Sequence, residues 1–273
     1  MKSRTTTGLV AVVAVVAGTA GCSAATVARK AADESAETVV QALSHVSDEA
    51  SKAGSAEISA TMAGPATGGK TVTMKGLYSW GDGGLAMETA MPAKDVRMEH
   101  LVKDGTVTVR LVNGSYYYRV DPVDSGPYAG KSWLKVEAAA VVGEQGAAGM
   151  AQGQGDPTAG LKGLKYAKDA AWVGVESVNG KNTKHYRASI PAAKMGSAAD
   201  DMRKTLGLSG DVVMDVWLDE KGAPARLNQV IGTTSISLDF LSFGGTRTVE
   251  VPPAADVADL TAVYREQKEG KAA

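Results

Sequence analysis

Cys22 is the only cysteine in the 273-residue chain. Thr19, Ala20 and Gly21 precede it, so a single thiol stands on backbone with little side-chain bulk. The thiolate is the soft nucleophile among side chains, and small neighbours leave the backbone open to an enzyme that must grip it. The other groups that could do chemistry are dispersed. His45, His100 and His185 have no Cys, His or carboxylate at ligand spacing beside them, which gives no zinc or copper signature; they are expected at the surface or on a rim. Asp200-Asp201 and Asp219-Glu220 are paired carboxylates, the first expected on a helix surface and the second in a turn, where acids are ordinarily solvated. Gly76-Leu77-Tyr78-Ser79-Trp80 has only the outline of a nucleophile elbow, because the surrounding alternation puts Ser79 on the polar face of a strand. No Gly-rich phosphate loop joins a strand to a helix. These observations point to a protein with no catalytic residue, no metal and no cofactor.

The segment that positions Cys22 is residues 9–17, almost wholly Val, Ala and Leu, preceded by Lys2 and Arg4. Nine residues make a helix of about 14 Å at ~1.5 Å per residue, well short of a ~30 Å hydrocarbon core. A charged start, a short apolar run and a small-residue end are the three parts of a secretory signal. The ending at 19–22 resembles the lipobox of bacterial lipoproteins, with Thr19 where that pattern prefers Leu. The resemblance implies that Cys22 takes a diacylglyceryl thioether and becomes the first residue of the mature chain. Two acyl chains satisfy the two-signal requirement for stable anchoring, on the extracytoplasmic face of the cell membrane. The organisation expected is a signal peptide at 1–21, a lipidated tether at 22–32, one domain at 33–267 and a frayed tail at 268–273.

Removing residues 1–21 takes out Lys2 and Arg4 and no acid, so the net charge moves from −1 to −3. That balance offers no footprint for nucleic acid. With one cysteine there is no intramolecular disulfide, and stability must come from pairing and packing. Ten Met against two Phe make the interior aliphatic and adaptable. The chain is expected to be monomeric.

Apolar residues recur at helical spacing over 31–52, with Asp33, Glu34 and Glu37 near the start and Gly54 just past the end. From Glu57 the period becomes two. Strands are expected at 57–62, 71–80, 85–91, 98–102, 106–112, 115–120 and 131–136, with Asp82-Gly83, Asp104-Gly105 and Asn113-Gly114 as hairpin turns. Residues 137–154 and 157–168 read as weak Ala- and Gly-rich helices. A hairpin turning at Asn179-Gly180, a helix at 191–206, three further strands between 212 and 243, and a closing helix at 257–267 complete the pattern.

A long antiparallel sheet with helices over one side must bury its apolar face against something, and the middle helices are too poor in large side chains to fill that space. Val72, Met74 and Tyr78 fall on one face of a strand, opposite Thr71, Thr73, Lys75 and Ser79. With Met87 and Met214 they are the candidate lining of an apolar ligand cavity. The alternation also puts Lys75 and Asp215 on the solvated face. The competing reading is an ordinary filled core.

Residues 215–227 (Asp-Val-Trp-Leu-Asp-Glu-Lys-Gly-Ala-Pro-Ala-Arg-Leu), 238–244, Val251-Pro252-Pro253 and Asp259-Leu260 resemble the C-terminal half of the actinobacterial LppX/LprG lipoproteins. Gly130-Lys131-Ser132-Trp133-Leu134-Lys135-Val136 and Tyr116-Tyr117-Tyr118 are similar to that family's central strands. The likeness covers most of 33–262. It implies an α+β fold of LolA-like type: a strongly curved antiparallel β-sheet, or half-barrel, with helices packed on its concave face. It also implies binding, and in some members transfer, of lipid acyl chains, with a lipid ligand, the cell membrane through Cys22 and an envelope transporter as partners. The alternative is a surface sensor or scaffold lipoprotein that transports nothing.

Overall fold

In the computed structural model the first helix, α1 (Ala36–Ala53), stops at Gly54, whose φ of 68° is the left-handed value that closes a helix. The structure describes residues 36–80, 84–96, 98–122, 124–151, 161, 163–167, 169–194, 209–245 and 248–270. Cys22, the signal segment and the tether lie outside the described residues, as do Asp82-Gly83 and Asp200-Asp201. Twelve strands follow α1: β1 (Ser55–Ala63), β2 (Thr71–Ser79), β3 (Ala86–Pro92), β4 (Thr106–Val112), β5 (Ser115–Arg119) and β6 (Trp133–Glu137). After helix α2 (Ala138–Ala151) come β7 (Ala171–Val178), β8 (Lys181–Ile190), β9 (Val212–Leu218), β10 (Pro224–Ile231), β11 (Thr234–Phe243) and β12 (Val257–Asp259). Helix α3 (Thr261–Gly270) ends the described chain.

The strands form one open sheet in the order β12-β6-β5-β4-β3-β2-β1-β11-β10-β9-β8-β7. Asn113 and Gly114 (φ 51° and 69°) turn β4 into β5, and Asn179 and Gly180 (51° and 76°) turn β7 into β8. Positive values at both central residues are what a type I′ turn requires, and Asn with Gly tolerates them best. All neighbours are antiparallel except β12, which runs parallel to β6. The sheet is therefore mixed at that edge.

Three local expectations change. Residues 257–267 are not one helix: Val257 pairs with Trp133 and packs in an outer apolar cluster, and the Asp259 carboxylate accepts the Thr261 N–H at 2.9 Å, so the helix begins only there. It then runs to Gly270, past the point where fraying is expected. Residues 98–102 are not a strand, because the Met98 and Leu101 N–H groups donate to the Ala93 and Met98 carbonyls at 2.9 Å and are spent on local turns. Of the helix expected at 191–206, Ala192–Lys194 is a 3-10 turn and 195–206 lie outside the described residues.

One face of the sheet, here called inner, carries a continuous apolar row. Met74 stands opposite Ala60, and Ala60 opposite Leu238; Leu227, Val216, Tyr186 and Trp172 follow across successive strands. Val39, Leu43 and Val46 of α1, with Leu161 and Leu164, close over the β1 and β8–β11 part of this face. Each large aliphatic side chain so buried stabilises by about 1.5–3 kcal/mol. A second cluster on the other half joins Met91, Ala93, Val102, Val107 and Val109, with Met87, Met98, Tyr116 and Tyr118 partly buried against it. Met74 packs on both clusters.

Candidate functional site

Among the described residues the inner face is closely packed over β1 and β8–β11 and only half-buried along β2 and at Met87 of β3. Met214 is fully buried beneath α1. Val72, Met74, Tyr78 and Met87 are half-buried and Thr71, Thr73 and Lys75 are exposed, so the period of two holds from Thr71 to Lys75, after which Gly76 to Ser79 are half-buried on both faces. Register carries the row onward: Tyr78 faces Met87, Met87 faces Leu111, and Leu111 faces Tyr116, which faces Val136. The structure thus brings Met74, Tyr78 and Met87 together and leaves Met214 in the packed half.

Beside Leu111 lies a partly open groove of about 290 Å³ lined by Gly84, Leu85, Leu111, Asn113, Gly114, Ala138, Ala147, Met150 and Ala151, with Asn113, Gly114 and Ala151 exposed at its rims. None of the five candidate residues lines it, although Met87 is the cross-strand neighbour of Leu111. Its roof is α2, and this helix is broken by Gly143 (φ 81°, ψ 162°), a conformation that only glycine adopts without strain. Before the break, the Ala138 N–H donates to the Gly114 carbonyl at 2.9 Å, and Lys268 Nζ donates to the Ala140 and Val141 carbonyls at 3.2 and 3.4 Å. After it, the Met150 carbonyl accepts the Leu85 N–H at 3.3 Å.

The surroundings are poorly solvated. Burial pushes the Tyr78 and Tyr118 phenols up to about 12 and raises Tyr116 as well, with the neighbouring Tyr116 adding to the first two. The Tyr116 and Tyr118 rings stack with centroids 6.4 Å apart. All three phenols are neutral at ordinary pH.

The outer face holds what the sequence did not announce. His185, expected at the surface, is 5% exposed; its Nδ1 lies 2.8 Å from Glu176 Oε1 and its Nε2 2.7 Å from Asp215 Oδ1, with its ring stacked on Trp217. Asp215, expected to be solvated, is 3% exposed and also accepts Arg187 Nε at 2.7 Å. Trp217 Nε1 donates to Glu176 at 2.8 Å. Glu176, the His185/Arg187 pair and the Asp215/Trp217 pair lie on three strands and meet only through the register of β7, β8 and β9, so no spacing rule finds them. Asp219 is a turn residue, its carboxylate accepting the Lys221 and Ala223 N–H groups at 3.0 and 2.9 Å. Among the described residues no group of three His, Cys, Asp or Glu side chains is arranged to hold a metal ion, and no helix is long and apolar enough to cross a membrane.

No family model matches the chain. A Streptomyces coelicolor protein provisionally named a lipoprotein is 24% identical over 238 residues, covering 83% of this chain and 76% of that protein. Among solved structures, LprF from Mycobacterium bovis superimposes with a TM-score of 0.55 at 12% identity, over 79% of this chain and 97% of LprF. The Mycobacterium tuberculosis lipoprotein LppX gives 0.52 at 16% identity, over 79% of this chain and 100% of LppX. The chain has the LprF/LppX fold. Its resemblance to the LppX/LprG lipoproteins is therefore present in the backbone as well as in the strand and turn residues. The expected α+β class holds too, as a large open sheet with few helices.

Proposed function

We propose that this chain is a cell-envelope lipoprotein, anchored to the membrane through Cys22, that holds lipid acyl chains against the inner face of its sheet and takes part in no catalysis. The observation that carries the reading is the cavity under α2, with the half-buried Met74, Tyr78 and Met87 row beside it on a low-dielectric face. Its lining is mostly Gly, Ala, Leu and Met, and concave space that is largely apolar with a few polar groups is the usual character of a small-molecule site. Met side chains adapt to flexible hydrocarbon at little cost. The fold shared with LppX and the lipobox-like residues 19–22 point the same way.

A surface sensor or scaffold is favoured by one observation, the close packing of the other half of the inner face around Met214 and Leu43. Native mass spectrometry of the full chain, released from detergent micelles, separates the two. Bound lipid retained on the protein supports the carrier; absence of any lipid adduct, even after addition of free fatty acid, leaves the scaffold. Cys22→Ser should abolish labelling by an alkyne fatty acid, and continued labelling would remove Cys22 from the anchoring role.

A further inference from the structure

We propose that the outer-face cluster around His185 is a proton-operated latch: with a proton on both ring nitrogens it ties the edge strand β7 to β9 across β8, and loss of one proton loosens β7. The proposal is independent of the acyl-binding reading above.

The geometry leaves the imidazole one role. Its Nδ1 lies 2.8 Å from Glu176 Oε1 of β7 and its Nε2 2.7 Å from Asp215 Oδ1 of β9, and both neighbours are acceptors. Asp215 takes Arg187 Nε and Nη2 on its two oxygens at 2.7 and 3.2 Å, the fork that a carboxylate accepts. Hydrogen bonds from Trp217 and His185 hold the Glu176 carboxyl below the usual carboxylate range. Only an imidazolium donates from both nitrogens. A neutral ring turns one lone pair toward a carboxylate oxygen, and repulsion replaces a charge-assisted bond. The residue is 5% exposed and its ring is stacked on Trp217 at 4.2 Å, so it is shielded from solvent that would otherwise compensate.

Among the described residues no cation touches the ring to oppose its charge. Arg187 of β8 reaches Asp215, Arg226 of β10 pairs with Asp239 of β11 and lies 5.9 Å from the Trp217 ring centre, and Lys181 is exposed two residues before Thr183. The effect falls on β7, which ends the sheet and pairs only with β8, whereas β8 and β9 each have two partners. Its pairing is already interrupted by a bulge between Trp172 and Gly174. Four residues before Glu176, Trp172 packs against the inner cluster that α1 covers. A proton lost on the outer face is therefore felt on the inner one, through the strand that carries both residues. The sign follows from which form of the ring the cluster binds: the latch is whole below the ordinary histidine value of ~6.5 and weakens as pH rises.

The test is amide hydrogen exchange of the full chain in detergent micelles at pH ~5.5 and ~8.5, either side of the ordinary histidine value, read as protection relative to the unfolded exchange rate at each pH. Protection of the β7 amides should fall about tenfold at the higher pH, the size expected for one hydrogen bond to a charged group, while the β4–β5 amides keep theirs. His185→Gln cannot change charge and should leave β7 equally protected at both pH values. Equal protection of β7 in the unaltered chain overturns the latch, and so does a fall that β4 and β5 share. A pH difference that survives in folded His185→Gln puts the proton elsewhere and overturns it too. Should that variant not fold, Glu176→Gln decides, because its half-exposed amide can accept from or donate to either form of the ring. An unchanged pH difference in Glu176→Gln overturns the proposal, and its disappearance supports it.

Discussion

At the level of single residues, burial makes each polar group depend on its partner. Asp215 is the clearest instance, because its side chain is 5% exposed and serves both His185 and Arg187. Asp215→Ala leaves the Nε2 side of a buried imidazole without its partner while Nδ1 keeps Glu176, and should cost about 1–3 kcal/mol in denaturant unfolding. Arg187→Ala removes a partner whose side chain is 57% exposed and should cost less than about 1 kcal/mol. Equal, small losses for both would show that the cluster contributes no stability. The tyrosines make a different demand. Phenols raised to about 12 in the folded chain ionise earlier once unfolded, at ~10. Their stabilising contribution is therefore whole below pH ~10 and is lost as pH rises toward about 12. Unfolding measured at stepped alkaline pH should show this fall, and Tyr78→Phe with Tyr118→Phe should flatten it.

Among the elements, the β2–β3 pair leaves no room for a side chain at Gly76. Gly76 sits between Met74 and Tyr78 on the inner face, and a Cβ there would lie 1.9 Å from the Glu88 carbonyl oxygen and 2.7 Å from the Thr89 Cα. Both obstacles are backbone, so neither can rotate away. Gly76→Ala should part the two strands and cost about 3 kcal/mol or more, the upper end of overpacking; a melting temperature like that of the unaltered chain would show that the strands already stand apart. Much at this scale was legible from the residues alone. Asn113-Gly114 and Asn179-Gly180 announce their hairpins because only a few residues accept two positive φ values in succession, and the alternation in β2 sorts its two faces. What was not legible depends on pairing between distant segments. The sequence around Val257 looks helical, and only the presence of β6 alongside makes it a strand. His185 looks isolated until β8 lies between β7 and β9. The sequence pointed to spare volume beside Val72, Met74, Tyr78, Met87 and Met214, whereas the groove under α2 is lined by none of them; it forms where α2, broken at Gly143, crosses the β4–β5 turn, and side-chain type does not fix that geometry.

For the molecule as a whole, β1 is the seam. On one side it pairs with β2, the next strand in the chain; on the other it pairs with β11, so that Ala56 meets Phe243. The strands from β2 to β6 and from β7 to β11 each pair with sequence neighbours, and β1 joins the two runs. Contacts between distant segments form late, after the local ones have reduced the loop to be closed. During synthesis β1 emerges early and β11 close to the end. Until then one edge of a nine-residue strand offers unpaired N–H and C=O groups to any passing chain. The nascent protein is thus most open to mispairing at the strand that will later lie deepest in its sheet, and a holding chaperone that masks β1 would guard it until Phe243 arrives.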